Sequence, residues 1–179
     1  YDGKYKLTRG PYMKGNTVGS QQKIAPKDLS YIAGFLDGDG SIMVQVKNRL
    51  GTPLGWRLMM TICFYQDSRH REPLGWIRDT LGIGYLSNRN DHITELRING
   101  YQETQRILKL LQPYVKFKAR QTELVLDILS RLDGKRLVDL SRKDRLQIAD
   151  NIIQMRKENY KSHSRKYDAN ALRKIFGYK

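Results

Sequence analysis

Two carboxylates separated by a single glycine are the residues of this chain whose types and spacing are best suited to chemistry. Asp37 and Asp39 lie in the run Asp37-Gly38-Asp39-Gly40, directly after an apolar segment that ends at Leu36. Carboxylate oxygens are ligands that a hard cation such as Mg²⁺ prefers, and one or two of them leave room for water and a phosphate group. Carboxylates at the electronegative end of a helix are also unfavourable unless a cation offsets the repulsion. The pair therefore indicates a magnesium site at a helix end.

Three other structures or functions are compatible with an Asp-Gly-Asp-Gly run in general. Asp-Gly pairs are common in plain turns, so a turn without chemistry is an alternative. An EF-hand calcium loop that starts at Asp37 is excluded, because the positions that require Gly and Glu hold Ile42 and Asn48. A carboxylate pair for acid–base catalysis on sugars is disfavoured by the basic charge of the protein.

The charge balance indicates a polyanionic partner. Lys and Arg number 33 against 18 Asp and Glu, which gives a net charge of +15. A solvated basic surface and an anionic membrane are the alternatives, but no segment approaches the ~20 apolar residues of a spanning helix. The lone Cys63 excludes an internal disulfide and, with three histidines, a zinc site. We expect an intracellular protein, since no signal-peptide pattern is visible.

The apolar periodicity predicts the elements that position the acidic pair. A first helix is expected to begin near Asp28 or Ser30, both good N-caps, and to end at the glycines of the acidic run. Alternation of apolar and polar residues then predicts two antiparallel strands at 41–49 and 57–64.

The rest of the chain predicts a second hairpin and more helices. A helix at 72–81 precedes strands at 84–89 and 92–98, and further helices follow at 101–112, 118–131, 142–158 and 168–176. Four antiparallel strands with helices on one face make an α+β domain. We place this domain at 28–158, between a basic N-terminal arm at 1–27 and a basic C-terminal tail at 159–179 that contains a short helix.

The second face of the predicted sheet is left open and is polar. Its side chains are of the types that read base edges and hold phosphates. They include Gln45, Lys47, Arg49, Arg57 and Thr61. A merely solvated face is the alternative, and the net charge favours nucleic-acid binding.

Several segments, in order, resemble one known family. The stretch Ile32–Gly40 resembles the LAGLIDADG motif, in which the small residues Ala33 and Gly34 allow close approach of a second helix. Later come Tyr65-Gln66 at a strand end, Gly82-Ile83-Gly84-Tyr85, and Leu111–Lys118 before a helix that contains Gln121. The likeness covers about residues 28 to 155. The chain resembles LAGLIDADG homing endonucleases that carry one motif.

The resemblance implies a fold, an assembly and a set of functional residues. The fold is an αββαββα unit with a saddle-shaped four-stranded sheet, here extended by C-terminal helices. The activity is Mg²⁺-dependent cutting of double-stranded DNA by a homodimer on a long, roughly palindromic site, with Mn²⁺ as a substitute. Asp39 and Gly38 would ligate metal, and Asp39, Gln66 and Lys118 would be catalytic. The implied dimer interface comprises Ile32, Ala33, Gly34, Leu36 and Asp37. The candidate DNA-binding residues are Met43, Gln45, Lys47, Arg49, Arg57, Thr61, Tyr65, His70, Ser87, Arg89, Glu95, Arg97 and Lys116.

The alternative within the same fold is a protein that binds without cutting. It would be an RNA maturase, with intron RNA as its partner, or a non-cleaving DNA- or RNA-binding protein. A plain transcription factor is a second alternative, and it would need no acidic pair at a symmetry axis. Retention of Asp39, Gln66 and Lys118 favours a nuclease.

Overall fold

Helices cover one face of a four-stranded sheet. The computed structural model describes residues 24–51, 53–158 and 167–177. The elements in order are α1 (Pro26–Asp39), β1 (Gly40–Asn48), β2 (Trp56–Asp67), α2 (Glu72–Leu81), β3 (Tyr85–Asn88), β4 (Ile93–Asn99), α3 (Tyr101–Leu111), α4 (Ala119–Leu132), α5 (Arg142–Glu158) and α6 (Ala169–Phe176). The sheet is antiparallel with the order β1-β2-β4-β3, which confirms the predicted α+β architecture.

The first helix begins earlier than its sequence predicted. Neither Asp28 nor Ser30 is the N-cap, because α1 starts at Pro26 and Ala25 occupies the cap position without a side-chain hydrogen bond. Proline suits the first turn of a helix, where its missing N–H has no partner to lose and its φ is already helical. Asp28 instead lies inside the first turn, where its negative charge interacts favourably with the positive end of the helix dipole.

The predicted alternation in β1 and β2 correctly identifies the face of the sheet that packs on the helices. Leu58, Met60, Ile62 and Phe64 of β2 are buried against the helices. The β1–β2 ladder starts at the pair Gly40–Phe64 and extends to Asn48–Trp56, and β2 continues to Asp67, beyond the predicted strand end. The extra residues pair with β4, so hydrogen bonding across the sheet determines where β2 ends.

The C-terminal helix is part of the core, and its assignment to a tail was wrong. Leu172 and Phe176 of α6 are fully buried, and the Phe176 ring lies 4.8 Å from the ring of Trp56 at the start of β2. Buried Arg145 of α5 donates to the Phe176 carbonyl, which fixes the end of α6. The predicted N-terminal arm and residues 159–166 lie outside the described residues. Within the described ranges, no helix is long and apolar enough to cross a membrane.

Candidate functional site

Asp39 lies where a helix passes directly into a strand. It is the last residue of α1, and β1 begins at Gly40 with no loop between them. A Cβ on Gly40 would lie 2.7 Å from both the carbonyl oxygen and Cδ1 of Leu36, so only glycine allows this direct passage. Asp39 is exposed, and no residue in the described part of the chain donates a hydrogen bond to its carboxylate. The carboxylate is therefore available to an external partner.

Asp37, the other acid of the pair, is fully engaged within the chain. Its Oδ2 accepts from the backbone N–H groups of Lys116 and Phe117, at 2.6 and 3.1 Å, and its Oδ1 accepts from that of Lys118 at 2.9 Å. These three bonds direct the carboxylate at the turn before α4, and the assignment of Asp37 to a dimer interface stays a prediction. The two acids therefore have different structural roles.

Lys118 lies between these two acids. Its Nζ donates to the backbone carbonyl of Asp37 at 2.6 Å, which satisfies an acceptor in the last turn of α1. Burial lowers the pKa of the Lys118 ammonium, and the negative charges of Asp37 and Asp39 oppose this lowering. The predicted catalytic lysine is thus held close enough to Asp39 for their charges to interact.

Gln66 lies at the same end of the sheet as Asp39. The pair Gly40–Phe64 is the first of the β1–β2 ladder, so Gln66 lies two residues beyond the point where β1 leaves α1. Its side chain is half-buried, and Oε1 accepts from the neighbouring N–H of Asp67 at 2.8 Å. This bond turns the amide so that its NH₂ group remains available to a ligand.

The predicted dimer interface is wrong for three residues of α1. Ile32, Ala33 and Leu36 are buried at 0% exposure in the chain's own core, because they form the stripe of α1 that packs on the sheet and on α3. The opposite stripe is exposed and runs through Lys27, Tyr31, Gly34 and Gly38. Only Gly34 of the predicted interface residues therefore lies on the available face of the helix.

The exposed stripe of α1 has an aromatic neighbour. The Tyr31 ring lies edge-on to that of Trp76 in α2 at 5.5 Å, and the two side chains are 55% and 41% exposed. Pro73 completes the apolar lining of a groove at this position, and Lys27, Asp28 and Glu72 contribute charges around it. The exposed face of α1 is thus an apolar surface with charges of both signs.

Most of the candidate DNA-binding residues lie on the open face or at its margin. Those with accessible side chains in the strands are Met43, Gln45, Lys47, Arg57, Tyr65, Ser87 and Arg97. The exposed residues in flanking turns are Arg49, His70, Arg89 and Lys116.

Two members of the predicted reading face are buried. Thr61 is 1% exposed and donates to Asn99 Oδ1 at 2.7 Å, so its hydroxyl is engaged inside the sheet surface. Glu95 is 6% exposed and pairs with Arg89 at 3.2 Å and with Arg97 at 2.7 Å. The prediction that these two side chains contact DNA is corrected: they position the exposed groups beside them.

Two residues of the open face were missed at the sequence level. Tyr85 is 50% exposed, and its hydroxyl accepts from Asn99 Nδ2 at 3.0 Å. Asn99 in turn accepts from Thr61, so the three side chains tie β3, β4 and β2 together. Extending the alternation from Arg97 would have placed Asn99 on this face, but the adjacent Gly100 favoured a turn.

A comparison with protein families matches the part of the chain that carries these groups. The model described as LAGLIDADG endonuclease matches residues 32–127, more than half of the chain. The chain belongs to the LAGLIDADG endonuclease family. The match starts at Ile32, so the family's motif is the segment in which α1 ends, and Asp37 and Asp39 are its two acids.

Known proteins of the LAGLIDADG family are similar over much of the chain. DNA endonuclease I-CreI of Chlamydomonas reinhardtii is 34% identical over 104 residues, which cover 58% of this chain and 63% of that protein. DNA endonuclease I-CvuI of Chlorella vulgaris is 32% identical over 104 residues, which cover 58% of this chain and 65% of that protein. The matches therefore span less than two thirds of either relative. The crystal structure of I-CvuI with its target in 2 mM Ca is similar with a TM-score of 0.74 and 26% identity, covering 83% of this chain and 92% of that one.

Proposed function

We propose that this protein is a homodimeric, divalent-cation-dependent endonuclease that cuts double-stranded DNA at specific, long and roughly palindromic sites. The observation that carries the proposal is the end of α1. There an exposed Asp39 carboxylate without an internal donor lies within charge interaction of the Lys118 ammonium, at the rim of an open polar sheet. The relatives are named DNA endonucleases, which favours cutting of DNA over the RNA maturase alternative.

The donor set fits a magnesium ion. Asp39 supplies one hard carboxylate oxygen, and Gly38, exposed beside it, supplies a backbone carbonyl. The described ranges contain no group of three His, Cys, Asp or Glu that could enclose a metal within one chain. Mg²⁺ takes one or two carboxylates and leaves its other positions to water and phosphate, so a site shared between two chains and DNA suits it. When bound, the cation activates water and stabilises charge on phosphate, and Mn²⁺ should substitute.

The neighbouring side chains have roles that follow from their chemistry. Lys118 is cationic and half-buried, so it stabilises the negative charge that develops on a phosphate at Asp39. The Gln66 NH₂ group orients water or a phosphate oxygen, but an amide cannot remove a proton. Neither residue acts as a covalent nucleophile.

A second copy of this chain is the partner that fits the exposed stripe of α1. Gly34 and Gly38 are spaced four residues apart on that stripe, and a Cβ at either would meet no atom within 4 Å in the same chain. Glycines at such a face let two helices approach closely, while the lysine and acids around the Tyr31–Trp76 groove suit a two-fold contact with itself. Pairing along α1 would bring the two Asp39 carboxylates to one place. The protein would act inside the cell, where its DNA substrate lies.

Removal of divalent cations is expected to stop cutting. Purified protein is incubated with a random DNA library, and the cut ends are sequenced to find the target. With Mg²⁺ or Mn²⁺ the target is cut. With Ca²⁺ it is bound but cut poorly, because Ca²⁺ holds its ligands in a looser geometry. Full cutting in excess EDTA would disprove the metal-dependent reaction, and a library without recurrent cut ends would disprove site specificity.

Gln45→Ala is expected to change base preference at one position in each half of the target. Gln45 is half-buried on the open face of β1, opposite Met59. A bidentate contact between an amide and a base is worth about 1–3 kcal/mol of discrimination. The measurement is the cutting profile over all single-base variants of the target. Gln102→Ala on the exposed surface of α3 is the matched control and should keep the parent profile. An unchanged profile for Gln45→Ala would exclude it as a base-reading residue.

A further inference from the structure

One acid of the motif is used entirely for holding two distant segments together. The Asp37 carboxylate receives all three successive backbone N–H groups of the turn at 116–118, which lies about 80 residues away in sequence. Backbone N–H groups that converge on one anion form a concave site that suits a carboxylate. The acceptor is therefore matched to the turn, and its removal would leave three donors without a partner.

The Lys118 side chain adds a fourth hydrogen bond from the same turn to Asp37. Lys118 Nζ donates to the Asp37 carbonyl at 2.6 Å, so its ammonium group covers the negative end of α1. Lys118 also occupies the N-cap position of α4, where its side chain makes no capping hydrogen bond. Both ends of this residue, its N–H and its ammonium, are consequently fixed by Asp37.

We propose that Asp37 is a positioning residue for the cleavage reaction: through the turn at 116–118 its carboxylate holds the Lys118 ammonium beside Asp39. The inference rests on the proposed function, because it assigns Asp37 a part in the work of Lys118. Asp37 itself touches neither DNA nor a cation. Its neighbour in the motif, Asp39, is the acid that faces outward.

The position of the turn explains why a carboxylate is needed here. Phe117 is 85% exposed, so the turn has no apolar anchor at its centre and relies on Asp37 for its place. Val115, just before the turn, is buried and fixes only one side. Asn at position 37 would keep one accepting oxygen but would present an NH₂ donor to at least one of the three N–H groups, and this clash of donors would loosen the turn. Lys118 would then keep its positive charge, but its ammonium group would no longer be held beside Asp39.

A double-mutant cycle between Asp37 and Lys118 tests this inference. Single-turnover cutting of saturating target DNA in Mg²⁺ is measured for the parent, Asp37→Asn, Lys118→Met and the double variant, with DNA affinity measured separately in Ca²⁺. Asp37→Asn should cut roughly 100-fold more slowly, as expected when a reacting group is misplaced by about 1 Å. Its DNA affinity should change far less than its cutting rate, because Lys116 is the one candidate DNA contact in the loosened turn and the others are unaffected. In the Lys118→Met background the same change should cause no further slowing.

Two controls separate positioning from general destabilisation. Asp168→Asn removes another carboxylate that accepts a backbone N–H, from Ala171 at the start of α6, and should leave the cutting rate unchanged. Asp37→Glu keeps the carboxylate but displaces its oxygens by one methylene, and it replaces Asp37→Asn in the cycle if that variant does not fold. Thermal unfolding of each variant shows which ones are folded.

The outcomes distinguish this inference from the proposed function. Equal slowing by Asp37→Asn in both backgrounds, or a defect seen only in DNA affinity, would overturn the positioning role while cutting by the parent stands. A Lys118→Met variant that cuts at the parent rate would overturn it as well. A parent that cuts no DNA with any divalent cation would overturn both.

Discussion

Asp39→Asn is expected to abolish DNA cutting and to leave DNA binding intact. The substitution preserves the shape of the side chain and removes the charge that a cation requires. Asp39 receives no hydrogen bond within the described part of the chain, so the fold loses no internal contact. The single-turnover cutting rate in Mg²⁺ should fall on the order of 1000-fold, the size of effect expected when charge stabilisation of a transition state is removed. Affinity in Ca²⁺-free buffer should stay equal or rise, because a negative charge next to phosphate is gone.

The control for this variant changes an acid elsewhere. Asp133→Asn removes an exposed carboxylate beyond the end of α4 and should cut like the parent. Mixed dimers of one parent and one Asp39→Asn chain, purified through two different tags, should lose most double-strand cutting of a supercoiled plasmid and retain nicking if each strand uses one carboxylate. Parent-level cutting by the Asp39→Asn homodimer would remove Asp39 from the reaction. Parent-level double-strand cutting by the mixed dimer would contradict a shared site.

The architecture and the outward acid were predictable because local sequence patterns determine them. The alternation in β1 and β2 reports which face packs on the helices, and Gly40 marks the end of α1. The acidic run, Tyr65-Gln66 and the segment at 111–118 carry the family resemblance, which already points to Asp39, Gln66 and Lys118. The strand register places Gln66 at the same end of the sheet as Asp39, and the hydrogen bond to the Asp37 carbonyl places Lys118 there.

The remaining errors come from contacts between segments far apart in sequence. The role of Asp37 depends on the backbone N–H groups at 116–118. Every residue except proline has such a group, so no residue type in the sequence indicates this contact. The buried Thr61 hydroxyl is bound by Asn99, 38 residues away on the neighbouring strand β4. Glu95 is different, because its ion-pair partners Arg89 and Arg97 are close in sequence. Ile32, Ala33 and Leu36 were assigned to the interface because the motif identifies the helix but does not indicate which face of that helix packs against the chain's own core.

Gly34→Arg is expected to convert the protein from a dimer to a folded monomer. In the isolated chain a Cβ at Gly34 meets no atom within 4 Å, so the new side chain extends into open space. Replacing a helix-interior glycine with arginine also favours the helix, by somewhat less than the roughly 0.8–1 kcal/mol that separates Gly from Ala. If two α1 helices pack at this stripe, the arginines occupy the space that the partner helix needs and add repulsion between like charges. The variant should therefore unfold at the same or a higher temperature as a monomer, yet lose double-strand cutting.

Gly34→Arg should maintain or raise the stability of the chain while it abolishes the dimer, so a loss of assembly can be told apart from a loss of folding. Sedimentation with and without target DNA gives the mass of the particle, and thermal unfolding at a concentration where the parent is also monomeric gives the stability of the chain. Gln102→Arg adds the same charge to an exposed site on α3 and should remain dimeric and active. A Gly34→Arg protein that sediments as a dimer on DNA and cuts both strands would show that this face of α1 is not the interface. Loss of both folding and cutting would instead mean that Gly34 is packed within its own chain. That result would contradict the open space found around its Cβ position.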